Sequence, residues 1–598
     1  ANYNIGFLFA SGPFRLEAGK RERFSLALAY GADLGELRTA VHTVQQIYNA
    51  NYQFAVPPAL PTAHAEGGDH YVRLSWDDVA ERSIDPVSHV NDFEGYRIYR
   101  STDPEFRDPR LITNGRGNPL PVNGKPIAQF DLVDERRGYS KETVDGVAYY
   151  LGDETGIQHV WTDNTAVNGQ QYYYAVTAYD FGSPADVPDS LKFYPSENAI
   201  SLSHTPRGGL ILPQNAVAVR PNPKVQGFVP AAADTADHGA GRGTGDVRVR
   251  VVDSNEVPQD HLFAVSFVTP DSDSIRATTY VLRDSTTHTH LFAHGHDVDG
   301  AGVGPVGSGL LPIVKNPVET VVDEAHTGYD PGSPTNTRLT VTYDKTLDPN
   351  FRRPGYPDDI TITFDDVVRD TSIVAGSYAQ AKPAKFIVTA HTPAGDRQLD
   401  FRFKDVDNDG TLSRPGDRGD NIDILTFANT ATRDSQSTWR VQLDTLGQGA
   451  RGPIVPPRKG DVFQIRLTRP LSSDDVYTFS TRAQRVDASL ARVEWSAKPY
   501  VVPNPYVGAA AFEPERFAVS GRGDRRMEFR SIPLNAVIRI YTVRGELVRA
   551  LRQDGSNNGF VAWDLRTKDN LDVAPGLYVY HVEATGLGDF VGKFAVIK

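Results

Sequence analysis

The chain contains no cysteine. That absence removes disulfide staples, thiolate metal sites and cysteine nucleophiles together, so every domain must be held by packing, hydrogen bonds or a bound metal. It also lacks a basic excess. The formal net charge is -13, and nothing cationic clusters strongly enough to replace phosphate counterions, which argues against nucleic acid or an anionic membrane as partner. No apolar run approaches the roughly 20 residues that span a bilayer. No G-x-S-x-G elbow, phosphate loop or His-Glu-x-x-His helix occurs, so the motifs that announce common enzymes are missing. The chain opens on Ala1 without a signal-peptide pattern, and the expectation is a mature form or a fragment.

What is present is β patterning over a chain of 598 residues, too long for one core and expected to divide into several domains. The expected class is all-β: tandem β-sandwich domains with one short N-terminal helix. Residues 1–58 read as the end of a preceding β-domain plus a helix. Strands are expected at 3–9 and 22–30, and apolar residues recur at helical spacing over 34–52, with Asp33 placed to cap the helix. Two strands and a helix cannot bury a core alone, so a further N-terminal region is expected to precede them.

A Pro-rich linker at 56–61 leads into a unit at 59–207. Its strands are expected at His70 to Trp76, Gly95 to Arg100 and Gln171 to Asp180, with Trp76 pointing inward. These segments resemble the B, C and F strands of a fibronectin type III domain, interrupted by a long insertion at 102–156. A Trp ringed by tyrosines suits the core of such a sandwich. The insertion, rich in Gly, Pro, Asp and Arg, is the better candidate for contact with a partner. From 208 to 490 the pattern stays β, with one of its strands expected at 398–403, and a single large sandwich is favoured over two smaller ones divided near 314–337. Residues 234–245 and 297–309 read as Gly-rich loops.

The region 499–598 carries the most distinctive pattern. It opens with Pro503-Asn504-Pro505-Tyr506, continues through Val537-Ile538-Arg539-Ile540-Tyr541, a turn at Arg544-Gly545-Glu546, and Leu577-Tyr578-Val579-Tyr580-His581-Val582, and closes on Lys593-Phe594-Ala595-Val596-Ile597-Lys598. This succession resembles the Ig-like C-terminal sorting domains of proteins exported by the type IX secretion system. The resemblance implies export across the outer membrane of a Gram-negative bacterium, an extracellular or cell-surface location, and the secretion machinery as a partner. Asn215 to Pro223 echoes the Pro-Asn-Pro opening.

The most specific local chemistry lies at Asp405-Val406-Asp407-Asn408-Asp409-Gly410-Thr411, followed by Asp417. Calcium takes six to eight hard oxygens, and alternating carboxylates with a Gly at the sharp turn wrap a chain around it. Asp405, Asp407 and Asp409 are the expected side-chain ligands and Thr411 a backbone ligand, with Asp417, Asp420 or Asp423 closing the shell. The EF-hand pattern fails at its end, where Gly416 stands in place of the bidentate Glu. A solvated acidic turn is the competing reading. A bound calcium here would be structural, because no nucleophile or general base accompanies it.

Three weaker signals remain. His288, His290, His294 and His296 alternate as strand histidines of one face do; they suit zinc or copper, or simply an exposed hairpin. Two Arg-Gly-Asp triplets, at 418–420 and 522–524, are tripeptides of common residues with a high chance rate. A carbohydrate-binding row of exposed aromatics has only Tyr149-Tyr150 and Tyr172 to Tyr174 to draw on. The reading these features favour is a non-catalytic structural protein of the cell surface, a scaffold, filament or adhesin subunit whose neighbours are other surface proteins or copies of itself. The alternative is the accessory C-terminal region of a secreted hydrolase.

Overall fold

Period-2 alternation with few helix formers produces strands almost throughout, and the chain folds as tandem β-sandwiches. The computed structural model describes residues 15, 26–49, 55–106, 125–144, 147–183, 193–205, 210–270, 276–343, 358–374, 380–416, 418–425, 437–446, 452–513 and 525–597. The strand expected at 3–9 lies outside them, and 26–30 is not a strand. The helix forms as Leu34–Asn49. Asp33 Oδ1 accepts from the Glu36 N–H at 2.9 Å, satisfying one of the free donors of the first turn.

In the first sandwich a three-stranded sheet (Ala63–Gly68, Tyr71–Trp76, Val160–Asp163) faces a four-stranded one (Ala216–Val219, Tyr172–Asp180, Phe93–Ser101, Ala128–Asp131). Trp76 sits between them, stacked on Phe130 and edge-on to Tyr96. The boundary expected at 207 moves outward, because Ala216–Val219 pairs with Tyr172 to Ala175 and completes the sheet. The insertion supplies Ala128–Asp131 and a hairpin, Gly138–Val144 with Val147–Gly152. From that hairpin the Tyr149 ring packs on the Arg97 guanidinium, which is fully buried, also lies over the Tyr179 ring, and pairs with Glu197 at 2.8 Å. Tyr149 is therefore a packing element rather than half of an exposed sugar platform.

The single large sandwich expected over 208–490 is two nested units. One core gathers Val247, Phe263, Val265, Tyr280, Leu310, Val314, Tyr477 and Phe479. A separate core gathers Ile360, Ile362, Phe386, Phe401, Phe403, Ile422, Trp439, Val441 and Phe463. The second is inserted between strands Leu310–Lys315 and Val476–Arg482 of the first. The outgoing and returning chains pair at Val321–Val322 and Leu467–Thr468, which makes a two-stranded neck. One inner sheet of the inserted unit holds Asp359–Phe364 and Phe386–Thr392, the other Asn421–Leu425 and Phe401–Lys404. The single strand expected at 398–403 is split into Gly395–Gln398 and Phe401–Lys404, which belong to different sheets. The chain changes layer at Leu399, whose side chain is buried in the core.

A second helix, Ala488–Glu494, follows, so the expectation of one helix is corrected. Asp487 caps it, accepting from the N–H groups of Ser489 and Leu490; the stretch is too short to show helical periodicity. The last sandwich packs a three-stranded sheet (Tyr500–Val502, Met527–Arg530, Phe560–Trp563) on a five-stranded one (Tyr506–Val507, Gly588–Ile597, Gly576–Ala584, Val537–Thr542, Leu547–Arg552). The Pro-Asn-Pro opening is where the chain changes sheets. Prolines cannot donate to a ladder, so the strand ends at Val502 and resumes beside Val596 and Ile597. Between them the Asn504 side chain accepts from the Ala595 N–H and donates to the Lys593 carbonyl, taking the place of backbone partners.

Polar contacts fasten the sandwiches to one another. Arg530 donates to the Asn168 carbonyl at 3.0 Å and Arg526 to that of Gly169, with the buried Glu528 between the two guanidiniums. The echo segment delivers Pro223 and Val225 to the same seam, where they bond Gly559 and Asn557. Across another seam, His159 Nε2 lies 2.6 Å from Glu81 Oε1 and Nδ1 lies 2.7 Å from the Val303 carbonyl oxygen. Both partners are acceptors, so the ring satisfies both only as imidazolium. Burial alone lowers its pKa, but the Glu81 carboxylate, the Val303 carbonyl and nearby Asp78 together raise it.

Two predictions follow from these contacts. Phe386→Ala removes a ring packed against Phe364, Phe401 and Phe403 and costs about 3–5 kcal/mol in denaturant unfolding of the inserted unit; a change below 1 kcal/mol is incompatible with this core. Because His159 titrates higher folded than unfolded, its contribution is complete below its unfolded pKa of about 6.5. That contribution is lost as pH rises through the raised folded value. His159→Gln therefore flattens the alkaline side of the stability–pH curve, with a loss of about 1–3 kcal/mol at low pH; an unchanged curve contradicts the imidazolium bridge.

Candidate metal centre

The acidic loop is the connection of a hairpin. Phe401–Lys404 pairs with Asn421–Leu425, and the register sets Lys404 opposite Asn421, so residues 405–420 form the loop between them. That closure brings Asp420 back to the start of the loop. Carboxylate oxygens of Asp405, Asp407 and Asp420 all lie within 4.8 Å of one another.

Each of the three is held differently. Asp405 Oδ1 accepts from the Asn408 N–H at 2.7 Å and Oδ2 from the Gly410 N–H at 3.0 Å. Asn408 and Gly410 both take positive φ, which lets the loop curl around the carboxylate. Asp420 is fully buried; Oδ1 accepts from Val406 N–H at 2.8 Å, and Oδ2 from the N–H groups of Ser413 at 2.8 Å and Arg414 at 2.7 Å. Asp407 faces solvent and meets the Arg414 Nε at 2.8 Å. The loop is anchored beneath by Leu412, fully buried in the core, and by the Thr411 hydroxyl, which donates to the Pro457 carbonyl at 2.8 Å.

Charge is unevenly compensated. Burial pushes the Asp405 carboxyl above the usual carboxylate range, the Gly410 and Asn408 N–H groups pull it back, and neighbouring Asp409 and Asp420 push it up again. For Asp407 a slight burial tends upward, but the bonds from Arg414 and Ser413 hold it below the usual range. Three converging carboxylates with one exposed guanidinium as counter-charge fit a hard divalent cation, which would relieve the mutual repulsion with oxygen ligands alone.

The structure brings Asp405 and Asp407 together as the spacing suggests, and of the three candidates to close the shell it sets Asp420 beside them. Asp409 instead accepts from the Thr411 N–H at 2.9 Å. Asp417 lies outside the described residues, and Asp423 is taken by a two-pronged pair with Arg440. The first Arg-Gly-Asp triplet is closed to an adhesion receptor because its Asp420 is buried; the second lies outside the described residues. His288 and His290 are exposed, and His294 and His296 line a cleft of about 320 Å³ with Asp78, Glu81, Arg82 and Arg136. None of the four belongs to a metal-holding group among the described residues.

No family model matches the chain, and no curated protein matches it. Among solved structures it is similar to PorZ, a surface component of the type IX secretion system of Porphyromonas gingivalis, at 10% identity and a TM-score of 0.17, over 91% of this chain and 86% of that one. It is similar to latent PorU of the same organism at 13% identity and a TM-score of 0.12, over 65% and 35%. A polysaccharide lyase matches at 15% identity and a TM-score of 0.11, over 56% and 46%. At such scores none of these likenesses assigns a function.

Calcium at 100 times its dissociation constant raises stability by about 2.7 kcal/mol, read as a higher melting temperature than in chelator. Asp407→Asn abolishes that gain and leaves the chelated melt within about 1 kcal/mol, since the exposed pair with Arg414 is lost while the amide oxygen can still accept from the Ser413 hydroxyl. Asp420→Asn lowers both melts, because an amide cannot accept all three N–H groups. Identical melts with calcium and chelator would return the loop to an acidic turn.

Proposed function

We propose that this chain is a non-catalytic, secreted or cell-surface structural protein, carried through a type IX-like secretion system by its C-terminal sandwich. The observation that carries the reading is the sheet change at Pro503-Asn504-Pro505. The residues that resemble the sorting family are those that start the C-terminal sandwich, clasp its last strand through Asn504, and end it at Ile597. The first sandwich has the three-plus-four strand arrangement of a fibronectin type III domain, which supports the second resemblance. Calcium in the 405–420 loop serves as a structural pin of the inserted unit.

A non-catalytic role is supported by a nucleophile-like chain that the fold assembles among the described residues. Thr361 Oγ1 lies 2.6 Å from His391 Nε2, and His391 Nδ1 lies 2.7 Å from Asp396 Oδ1. This hydroxyl–imidazole–carboxylate line has the order of a hydrolase triad, but Thr361 sits mid-strand between Thr389 and Gln464 of two flanking strands. Its backbone is committed to the ladders, which leaves no pair of converging N–H groups to stabilise an oxyanion. Thr361 is also buried. Strand Thr289–Gly295 ends its sheet, a position that suits pairing with other surface proteins or copies of the chain, whereas the edge at Leu547–Arg552 is covered in part by the Lys568 N–H on the Val548 carbonyl.

Deleting 499–598 from the protein in a host with type IX secretion should leave it in the periplasm, while the intact chain becomes accessible to protease added outside the cells. Surface delivery of the truncated chain would remove the basis for the reading.

A further inference from the structure

A cluster unrelated to the calcium loop lies where the first sandwich meets the second. His64, on strand Ala63–Gly68, faces Asp253 and Glu256, which belong to the turn after strand Asp246–Val251, and one ligand atom from each lies within 4.8 Å of the others. His64 Nδ1 and Glu256 Oε1 are 3.7 Å apart. That is too long for a hydrogen bond, but ligands bound at 2.0–2.1 Å to a tetrahedral ion stand roughly 3.4 Å from one another.

The turn is built to hold its two carboxylates. Val252 and Asp253 donate their N–H groups to the Gly309 carbonyl. Asp253 Oδ1 accepts from the backbone N–H and side-chain amide of Asn255, both at 2.9 Å, which fixes the carboxylate and leaves Oδ2 for an ion. Gly309 takes φ +69°, and a Cβ there would stand 2.1 Å from the Asp253 carbonyl oxygen and 3.2 Å from Glu256 Cβ. From the other side of the seam Arg73 reaches the Val252 carbonyl at 3.5 Å.

An independent observation points to an occupant. His64 and Glu256 line a cavity of about 50 Å³ together with Ser75, Trp76 and Ser308. Trp76 is 1% exposed, and its indole N–H has no acceptor among the described residues. An N–H donor cannot bind a cation; it needs an oxygen lone pair. The cavity has room for a water-sized ligand, and three protein ligands leave a tetrahedral ion one open position.

We infer that His64, Asp253 and Glu256 form a zinc-type site across the seam of the first two sandwiches, with a water or small anion on the open position accepting from Trp76. One imidazole and two carboxylates suit a borderline first-row divalent ion, whereas calcium asks for more oxygens and no nitrogen. The ion would tie the two sandwiches together where the chain has no disulfide.

The test uses the whole chain, stripped by chelator and kept in calcium to saturate the acidic loop. Co²⁺ is titrated by its visible absorption, and Zn²⁺ by competition with a chromophoric chelator. The expected result is one Zn²⁺ per chain that displaces Co²⁺ and raises the melting temperature. His64→Ala and Glu256→Gln each weaken binding at least about 10-fold, the lower end of the loss seen when even outer-shell partners of zinc are removed. Both side chains are substantially exposed, at 42% and 46%, so metal-free melts of the variants should match the wild type. The double variant His294→Ala/His296→Ala retains the site. Absence of stoichiometric binding by the wild type overturns the inference. So does zinc binding unchanged in Glu256→Gln or lost only in the His294/His296 variant.

Discussion

With no disulfide available, the loops of this protein are held by buried aspartates that collect backbone N–H groups. Asp420 gathers three. Asp475, fully buried, takes those of Gly243 and Ser472 and also meets His238. Asp461 takes those of Thr335 and Arg458, and Asp131 those of Glu154 and Thr155. Loop N–H groups pointing inward must find acceptors, and a carboxylate supplies two oxygens whose charge-assisted bonds are about twice as strong as neutral ones. The Gly-rich segment 234–245 is thereby tied to the strand Val476–Arg482 through Asp475.

The same device joins parts that lie far apart in the chain. Asp475 and Gly243 belong to opposite ends of the unit that encloses the inserted sandwich, so their bond helps to close the split unit around its neck. The seams between sandwiches are polar as well: His159 against Val303, Arg530 against Asn168, and Gln226 against the Glu494 and Ala497 carbonyls and the Ser531 hydroxyl. Polar seams of this kind fix orientation through geometry rather than area. Most apolar burial lies in the four sandwich cores, where Trp76, Trp439 and Trp563 are each almost wholly enclosed, with a smaller cluster around Tyr99 and Phe106.

The acidic loop at 405–420 shows what a local pattern can carry. Asp405 and Asp407 are two residues apart, and Asn408 and Gly410 provide the positive φ that folds the chain over them, so this much was legible in the spacing. Asp420 became a partner only because Lys404 pairs with Asn421, a register that no local spacing encodes. Asp409 had the right spacing, but its Oδ1 turns to the Thr411 N–H two residues on and it does not join the Asp405, Asp407 and Asp420 group. The His64, Asp253 and Glu256 cluster could not be read from local spacing, since His64 comes from one sandwich and the two carboxylates from a turn of the next.

The sequence by itself determined that the chain is all-β, that its loops are fastened without sulfur, and that the last region begins with a proline-bounded break and ends on a strand. Alternation, turn residues and composition act over a few neighbouring positions, so they survive reading one residue at a time. Only the tertiary structure decided that one sandwich is inserted into another, that the strand expected at 398–403 divides between two sheets, and that Ala216–Val219 belongs to the first sandwich. A period of two states which face of a strand is apolar but not which strand lies beside it. Pairing is chosen by the whole set of inner faces that must be buried together, and that choice exists only once the chain has folded.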